Sequence, residues 1–259
     1  MKRVAIVVST VGYHWEELFR GYFEFRAAGF EVDLFTVDGR PATPDPYSLR
    51  LNGPAAWLGL GVPRSIAPVS ERGKQLVEAL KQVQSAKGIV PERYAALYLP
   101  GGHGCLFDVN TNADLHTVIS RLHEHGAVLS GVCHATSTFA FVTANGRSLV
   151  QGHALTGFPD PLDQTLIRLG AVHPNFLPLP LINDDVLHSA GARLGSLDIA
   201  QALLNPAHMV VSPPFVTGVG PRAARRVARQ VVRTVLGHET DPARRSLHHI
   251  LSTQERLEA

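Results

Sequence analysis

Apolar residues recur along this chain in two periods. Val4–Ser9 is a short continuous apolar run, the mark of a strand buried on both faces. Trp15–Ala28 places Trp15, Leu18, Phe19, Tyr22, Phe23 and Phe25 at roughly helical spacing and ends at Gly29. Phe30–Val37 alternates into a second strand. Strand, helix, strand in this order predicts an α/β fold with a parallel sheet and right-handed crossovers. Further on, Ser70–Ser85 predicts a capped amphipathic helix, Ala95–Leu99 a third buried strand, Ala113–His125 a helix and Ala127–Ser130 another strand. Leu162–Leu169 reads as the first turns of a helix, Leu197–Leu204 as a helix, and Met209–Ser212 and Phe215–Val219 as late strands. Pro221–Leu236 is a helix with proline at its start and Gly237 after it.

The segments between carry little periodicity. Gly39–Pro68 is rich in Gly and Pro and predicts an irregular excursion placed to cover a site. Val172–Leu194 is proline-rich and takes no assigned element. The expected organisation is one α/β domain over 1–237, with the excursion at 39–68, an insertion-like stretch at 172–214 and a polar tail at 238–259.

Composition narrows the class. The 259 residues are 45% apolar and 18% charged, an ordinary globular balance, and the net charge of +2 implies no nucleic-acid field. Two cysteines make no disulfide framework and point to a reducing setting. Val4–Val8 is too short for a signal core, and no stretch approaches the ~18–20 apolar residues of a membrane span. A soluble cytoplasmic protein without membrane or nucleic-acid partners is expected.

The candidate chemistry centres on Ala127–Ala140, A-V-L-S-G-V-C-H-A-T-S-T-F-A. Strand, sharp turn and helix would hold Cys133 at the carboxyl edge of a parallel sheet with its side chain exposed. The N–H groups and dipole of the following helix would favour thiolate over thiol. The backbone N–H of His134 can face a developing oxyanion. Pro100-Gly101-Gly102-His103-Gly104 is a glycine-rich turn after a strand, which could aim the Gly102 N–H at the same point. The loop Thr10–Glu17 can deliver Glu16 or Glu17 near Cys133. Asp160 and Asp163 sit at a helix start, where a carboxylate is ordinarily a cap. Arg222, Arg225, Arg226, Arg229 and Arg233 fall on one helix side and read as a solvated face.

Four segments resemble the ThiJ/PfpI superfamily, in its branch of heat-shock-type chaperones and glutathione-independent glyoxalases. They are Glu16–Val32 after the opening strand, L-P-G-G-H-G at Leu99–Gly104, G-V-C-H at Gly131–His134 and V-T-G-V-G-P at Val216–Pro221. The resemblance implies a flavodoxin-like three-layer sandwich and a homodimer. It implies Cys133 as nucleophile with His134 beside it, Glu17 as the acid, Gly102 and His134 as oxyanion donors with Gly101 adjoining, and Asp163, ahead of Asp160, as the carboxylate that orients the histidine. It implies an enzyme acting on a small carbonyl such as methylglyoxal, giving lactate, or a deglycase-like enzyme. A holdase chaperone and a cysteine hydrolase or isonitrile-hydratase-like enzyme are the alternatives. A metal-binding branch has a histidine ligand where this chain has Arg26, so no metal site is carried over and no cofactor is expected.

Overall fold

The computed structural model describes residues 1–50, 62–195 and 204–240. Seven strands form the central sheet: β1 (Arg3–Val8), β2 (Glu31–Thr36), β3 (Gln84–Ser85), β4 (Ala96–Leu99), β5 (Val128–Val132), β6 (Met209–Ser212) and β7 (Phe215–Gly218), in the order β6-β7-β5-β4-β1-β2-β3. Only the β6–β7 pairing is antiparallel. Val4 pairs with Val32 on one side and Ala96 on the other, and Leu99 pairs with Gly131.

The sheet is covered on both faces, which is why its strands are apolar throughout. Val4, Ile6, Val8, Leu34 and Tyr98 pack toward α1 (Trp15–Ala27) and α6 (Ala224–Thr240). Ala5, Val7, Leu97, Leu99 and Leu129 pack toward α3 (Ala113–Glu124). The α1 stripe buries Trp15, Leu18 and Phe25 almost completely. Each such side chain contributes roughly 1.5–3 kcal/mol by leaving water. Among the described residues the remaining α-helices are α2 (Glu71–Leu80), α4 (Asp160–Arg168) and α5 (Asn183–Ser189). The flavodoxin-like sandwich expected from the sequence is therefore present. Among the described residues no helix is long and apolar enough to cross a membrane.

Several boundaries differ from expectation. Ser70 caps α2 by accepting from Gly73 N at 3.1 Å, but the helix stops at Leu80. The chain leaves it so that Gln84 and Ser85 can pair with Phe35 and Thr36, an edge pairing that overrides local propensity. Helix α4 begins at Asp160, two residues early, and α6 runs past Gly237 to Thr240. Val172–Leu194 contains a 3-10 turn at Pro174–Phe176, then α5, then Arg193–Leu194 paired with Ala154–Leu155. The helix expected at Leu197–Leu204 lies outside the described residues except for Leu204, as do 51–61 of the excursion and the tail from 241.

The largest difference follows Cys133. Cys133–Phe141 is a 3-10 helix, not an α-helix. In an α-helix the His134 carbonyl would accept from the backbone four residues on. Here it accepts from Asn110 Nδ2 at 3.2 Å and Ser137 Oγ at 2.9 Å. These side-chain donors compete for a carbonyl that an α-helix would use, and the Thr136-Ser137-Thr138 run has little propensity to resist.

Candidate active site

Leaving β1, the chain goes to β2 on one side and returns to β4 on the other, so the carboxyl ends of β1 and β4 flank the point where the winding reverses. Crevices at such points bind ligands in open α/β sheets. The loop after β1 carries Thr10–His14, the turn after β4 carries Gly101–His103, and β5 ends on Cys133.

Cys133 has φ 58°, a left-handed conformation that a non-glycine residue occupies at a cost of roughly 1–2 kcal/mol. The strain turns the thiol toward the β4 turn. A Cβ on Gly101 would lie 2.7 Å from Cys133 Cβ and 2.6 Å from the Val132 carbonyl, so the turn approaches this closely only because it carries glycine. The adjacent Gly102 has φ 111° and lies against the Gly12 carbonyl. The thiol is not exposed: Cys133 keeps 4% of its surface. Burial pushes it well above the ordinary thiol range, and the Glu17 and Asp163 carboxylates push the same way. The His134 backbone N–H works against them. The expected exposed, thiolate-rich cysteine is thus corrected to a buried thiol that needs a base.

Glu17 faces that thiol from the first turn of α1. Its Oε2 accepts from Gly101 N at 2.6 Å, and its backbone carbonyl accepts from Tyr98 Oη at 3.0 Å. Burial raises the carboxyl to about 8 despite the Gly101 bond, so Glu17 is a carboxylic acid at neutral pH. Oε1 is buried without a formed hydrogen bond. Because Gly101 N–H is taken by Glu17, it is not an open donor, which removes Gly101 from the expected oxyanion positions. Glu16 pairs with Arg20 at 2.5 Å.

His134 Nδ1 is 3.2 Å from Cys133 Sγ, and its Nε2 is 2.7 Å from Asp163 Oδ2. Phe158 stacks on the ring at 5.0 Å between centroids. Burial acts to raise the Asp163 carboxyl. His134 and His103 overcome it and hold Asp163 well below the usual carboxylate range. Asp160 accepts from Asn183 N at 3.1 Å, while Asp184 accepts from Asp160 N at 3.3 Å, a reciprocal cap between α4 and α5. Burial and the Asp184 charge push Asp160 up to about 7.

Two residues were not singled out by the sequence. His103 Nδ1 lies 3.0 Å from Asp45 Oδ2, and its ring centroid lies 4.7 Å from that of His134. Its Nε2 faces Asp163 Oδ1 at 3.6 Å, beyond hydrogen-bond length, and neither atom has another partner. His103 stands inside the glycine-rich turn, and Asp45 inside the excursion. Their separation of 58 positions leaves no periodic signal. Among the described residues, His103, His134 and Asp163 also form the one group whose ligand atoms lie within 4.8 Å of one another. Asp163 Oδ2 is already engaged by His134, so the cluster reads as a line for protons. Arg26, where the metal-binding branch has a ligand, donates to Tyr22 Oη at 2.8 Å. Cys105 is fully buried and donates to the Pro100 carbonyl.

No protein-family model matches the chain. The glutathione-independent glyoxalase HSP31 of Saccharomyces cerevisiae is 25% identical over 209 residues, covering 79% of this chain and 81% of that protein. The crystal structure of glyoxalase III from Candida albicans superposes with a TM-score of 0.67 at 23% identity, covering 89% of this chain and 96% of that one. A ThiJ/PfpI domain protein from Brachyspira murdochii superposes with a TM-score of 0.55 at 14% identity, covering 91% and 96%. The four sequence segments, the fold and these likenesses agree: the chain has the fold of a ThiJ/PfpI domain protein, and its sequence is similar to proteins named glutathione-independent glyoxalases.

Proposed function

We propose that this protein is a glyoxalase of the glutathione-independent kind, converting a small 2-oxoaldehyde such as methylglyoxal into a 2-hydroxy acid. The observation that carries the reading is a carboxylic acid, Glu17, buried beside a thiol whose other neighbour is the His134 imidazole, held by Asp163. An acid and a base on either side of one nucleophile suit a reaction that moves a proton between adjacent carbons.

Cys133 Sγ bonds to the aldehyde carbon while its proton passes to His134 Nδ1. His134 returns that proton to the new hemithioacetal oxygen. Covalent capture divides one hard rearrangement into easier steps. His134 then takes the hydrogen of the former aldehyde carbon as a proton, the hemithioacetal hydroxyl proton shifts to the neighbouring oxygen within the enediolate, and Glu17 supplies a proton to the neighbouring carbon, leaving a thioester carbonyl beside a hydroxyl. The product is a thioester of the 2-hydroxy acid. Water hydrolyses it, Glu17 recovers a proton from that water, and His134 reprotonates the departing thiolate. Asp163 holds the imidazole in the orientation this needs. The N–H of His134, with that of Gly102, would face the oxyanion.

The same reading carries a single α/β domain over 1–237 that acts as a homodimer in the cytoplasm, where its two free cysteines stay reduced. Intact mass after incubation with methylglyoxal and rapid acid quench tests the chemistry. An adduct confined to the Cys133 peptide is expected. Adducts spread over arginines and lysines, with none on Cys133, would overturn the reading.

A further inference from the structure

His103 is flanked by carboxylates at both ring nitrogens, Asp45 from the excursion at Nδ1 and Asp163 from α4 at Nε2. A neutral imidazole has one proton for two such neighbours and would turn a lone pair toward the other. A doubly protonated ring meets both. All three side chains are nearly closed off from solvent, with the carboxylates at 4% and 5% and the imidazole at 11%. Phe176 stacks on the ring at 22° and fixes its plane. The Asp45 end is itself fastened, since Asp45 N donates to the Tyr13 carbonyl at 2.8 Å and Asp45 Oδ1 accepts from Tyr47 N. A rigid line therefore runs Asp45–His103–Asp163–His134–Cys133, drawn from four separate segments.

We propose that His103 is a positioning residue: held as an imidazolium between Asp45 and Asp163, it keeps Asp163 ionised and aimed at His134, and so sets up the proton transfer from Cys133. It acts through Asp163 and does not touch the reacting carbons. The inference rests on the glyoxalase reading for its kinetic arm only. The charged or titratable groups around His103 are Asp45, with His14 near it, Asp163, His134 and Glu17. Burial works against the charged ring, and the two carboxylates more than reverse it, placing its loss of a proton at about 9.

The first test needs no substrate. Nitrogen-proton correlation spectra of protein labelled with 15N-histidine should show both His103 nitrogens protonated at pH 7, with a midpoint near 9. Asp45→Asn removes one carboxylate and should bring that midpoint below 8. Kinetics supply the second arm. Wild type should lose activity on the alkaline side near 8, where Glu17 gives up its proton. In Asp45→Asn the alkaline limb should move down with the His103 midpoint. In His103→Gln it should stay near or above 8, while kcat falls roughly tenfold at every pH and KM stays within about threefold. A merely structural His103 would lower the melting temperature without this split of limbs. If His103→Gln does not fold, Asp45→Asn alone carries the comparison. A His103 ring with one bare nitrogen at pH 7 overturns the proposal, as does an Asp45→Asn limb that coincides with wild type while its midpoint has moved below 8. Doubly protonated His103 in a protein with no turnover of 2-oxoaldehydes would retain the imidazolium line and remove the glyoxalase reading.

Discussion

Glu17 Oε2 lies 2.6 Å from the backbone nitrogen of Gly101, tying the first turn of α1 to the turn after β4 directly across from the Cys133 thiol. A backbone N–H ordinarily lowers a carboxyl's pKa by favouring its charged form. Here burial prevails, and the carboxyl stays protonated to about 8.

That balance has a stability consequence. The unfolded chain releases the Glu17 proton near the ordinary glutamate value, the folded chain only near 8. Between those values the folded state binds more protons, so stability falls as pH rises. Glu17→Gln removes the titration. Urea unfolding at pH 5 and pH 8 should show the variant gaining on wild type by on the order of 3 kcal/mol across that interval. Turnover in the same variant should collapse, because an amide carries no transferable proton.

Asp163 and Asp160 separate positioning from capping. Asp163→Asn weakens the partner of His134 Nε2 and should lower kcat by roughly 10²–10⁴-fold. Alkylation of Cys133 by iodoacetamide should change far less. Asp160→Asn keeps an oxygen for Asn183 N and should leave kcat within about threefold of wild type. Steady-state kinetics on both variants checks the contrast.

Gly101→Ala places a methyl 2.7 Å from Cys133 Cβ and 2.9 Å from Glu17 Oε2. The crowding should destabilise the protein by about 1–3 kcal/mol and cut turnover by roughly 10² or more. Thermal melting and kinetics on one preparation measure both.

The two thiols should differ in native protein. Peptide mapping after brief iodoacetamide treatment should find the label on Cys133, at the crevice, and none on fully buried Cys105.

How far the sequence reached depends on the range of each signal. The αβ repeat, β5 and the elbow were legible because each is a contiguous run whose period reports its own burial. The α2 end was not, since Gln84 pairs with Phe35, almost fifty residues away. The 3-10 helix after Cys133 was hidden for a similar reason: Asn110 captures the His134 carbonyl from another loop. The site residues were named from the motifs, and the structure brings Glu17, Cys133, His134 and Asp163 together. Their protonation states were not readable. The sequence suggested an exposed thiolate, whereas desolvation by the packed β4 turn and α1 keeps both the thiol and the Glu17 carboxyl protonated. Asp45 and His103 meet only because the excursion folds back over the β4 turn.

On the proposed glyoxalase reading, Cys133 turns over a 2-oxoaldehyde by itself. Methylglyoxal should be supplied without glutathione or any other free thiol, and product followed by chromatography of lactate, with wild type and Cys133→Ala side by side at pH 7. Steady lactate formation by wild type, with none above the buffer rate from a folded Cys133→Ala variant, is the predicted result. Equal lactate formation by the two proteins, or none from wild type, would overturn the glyoxalase reading.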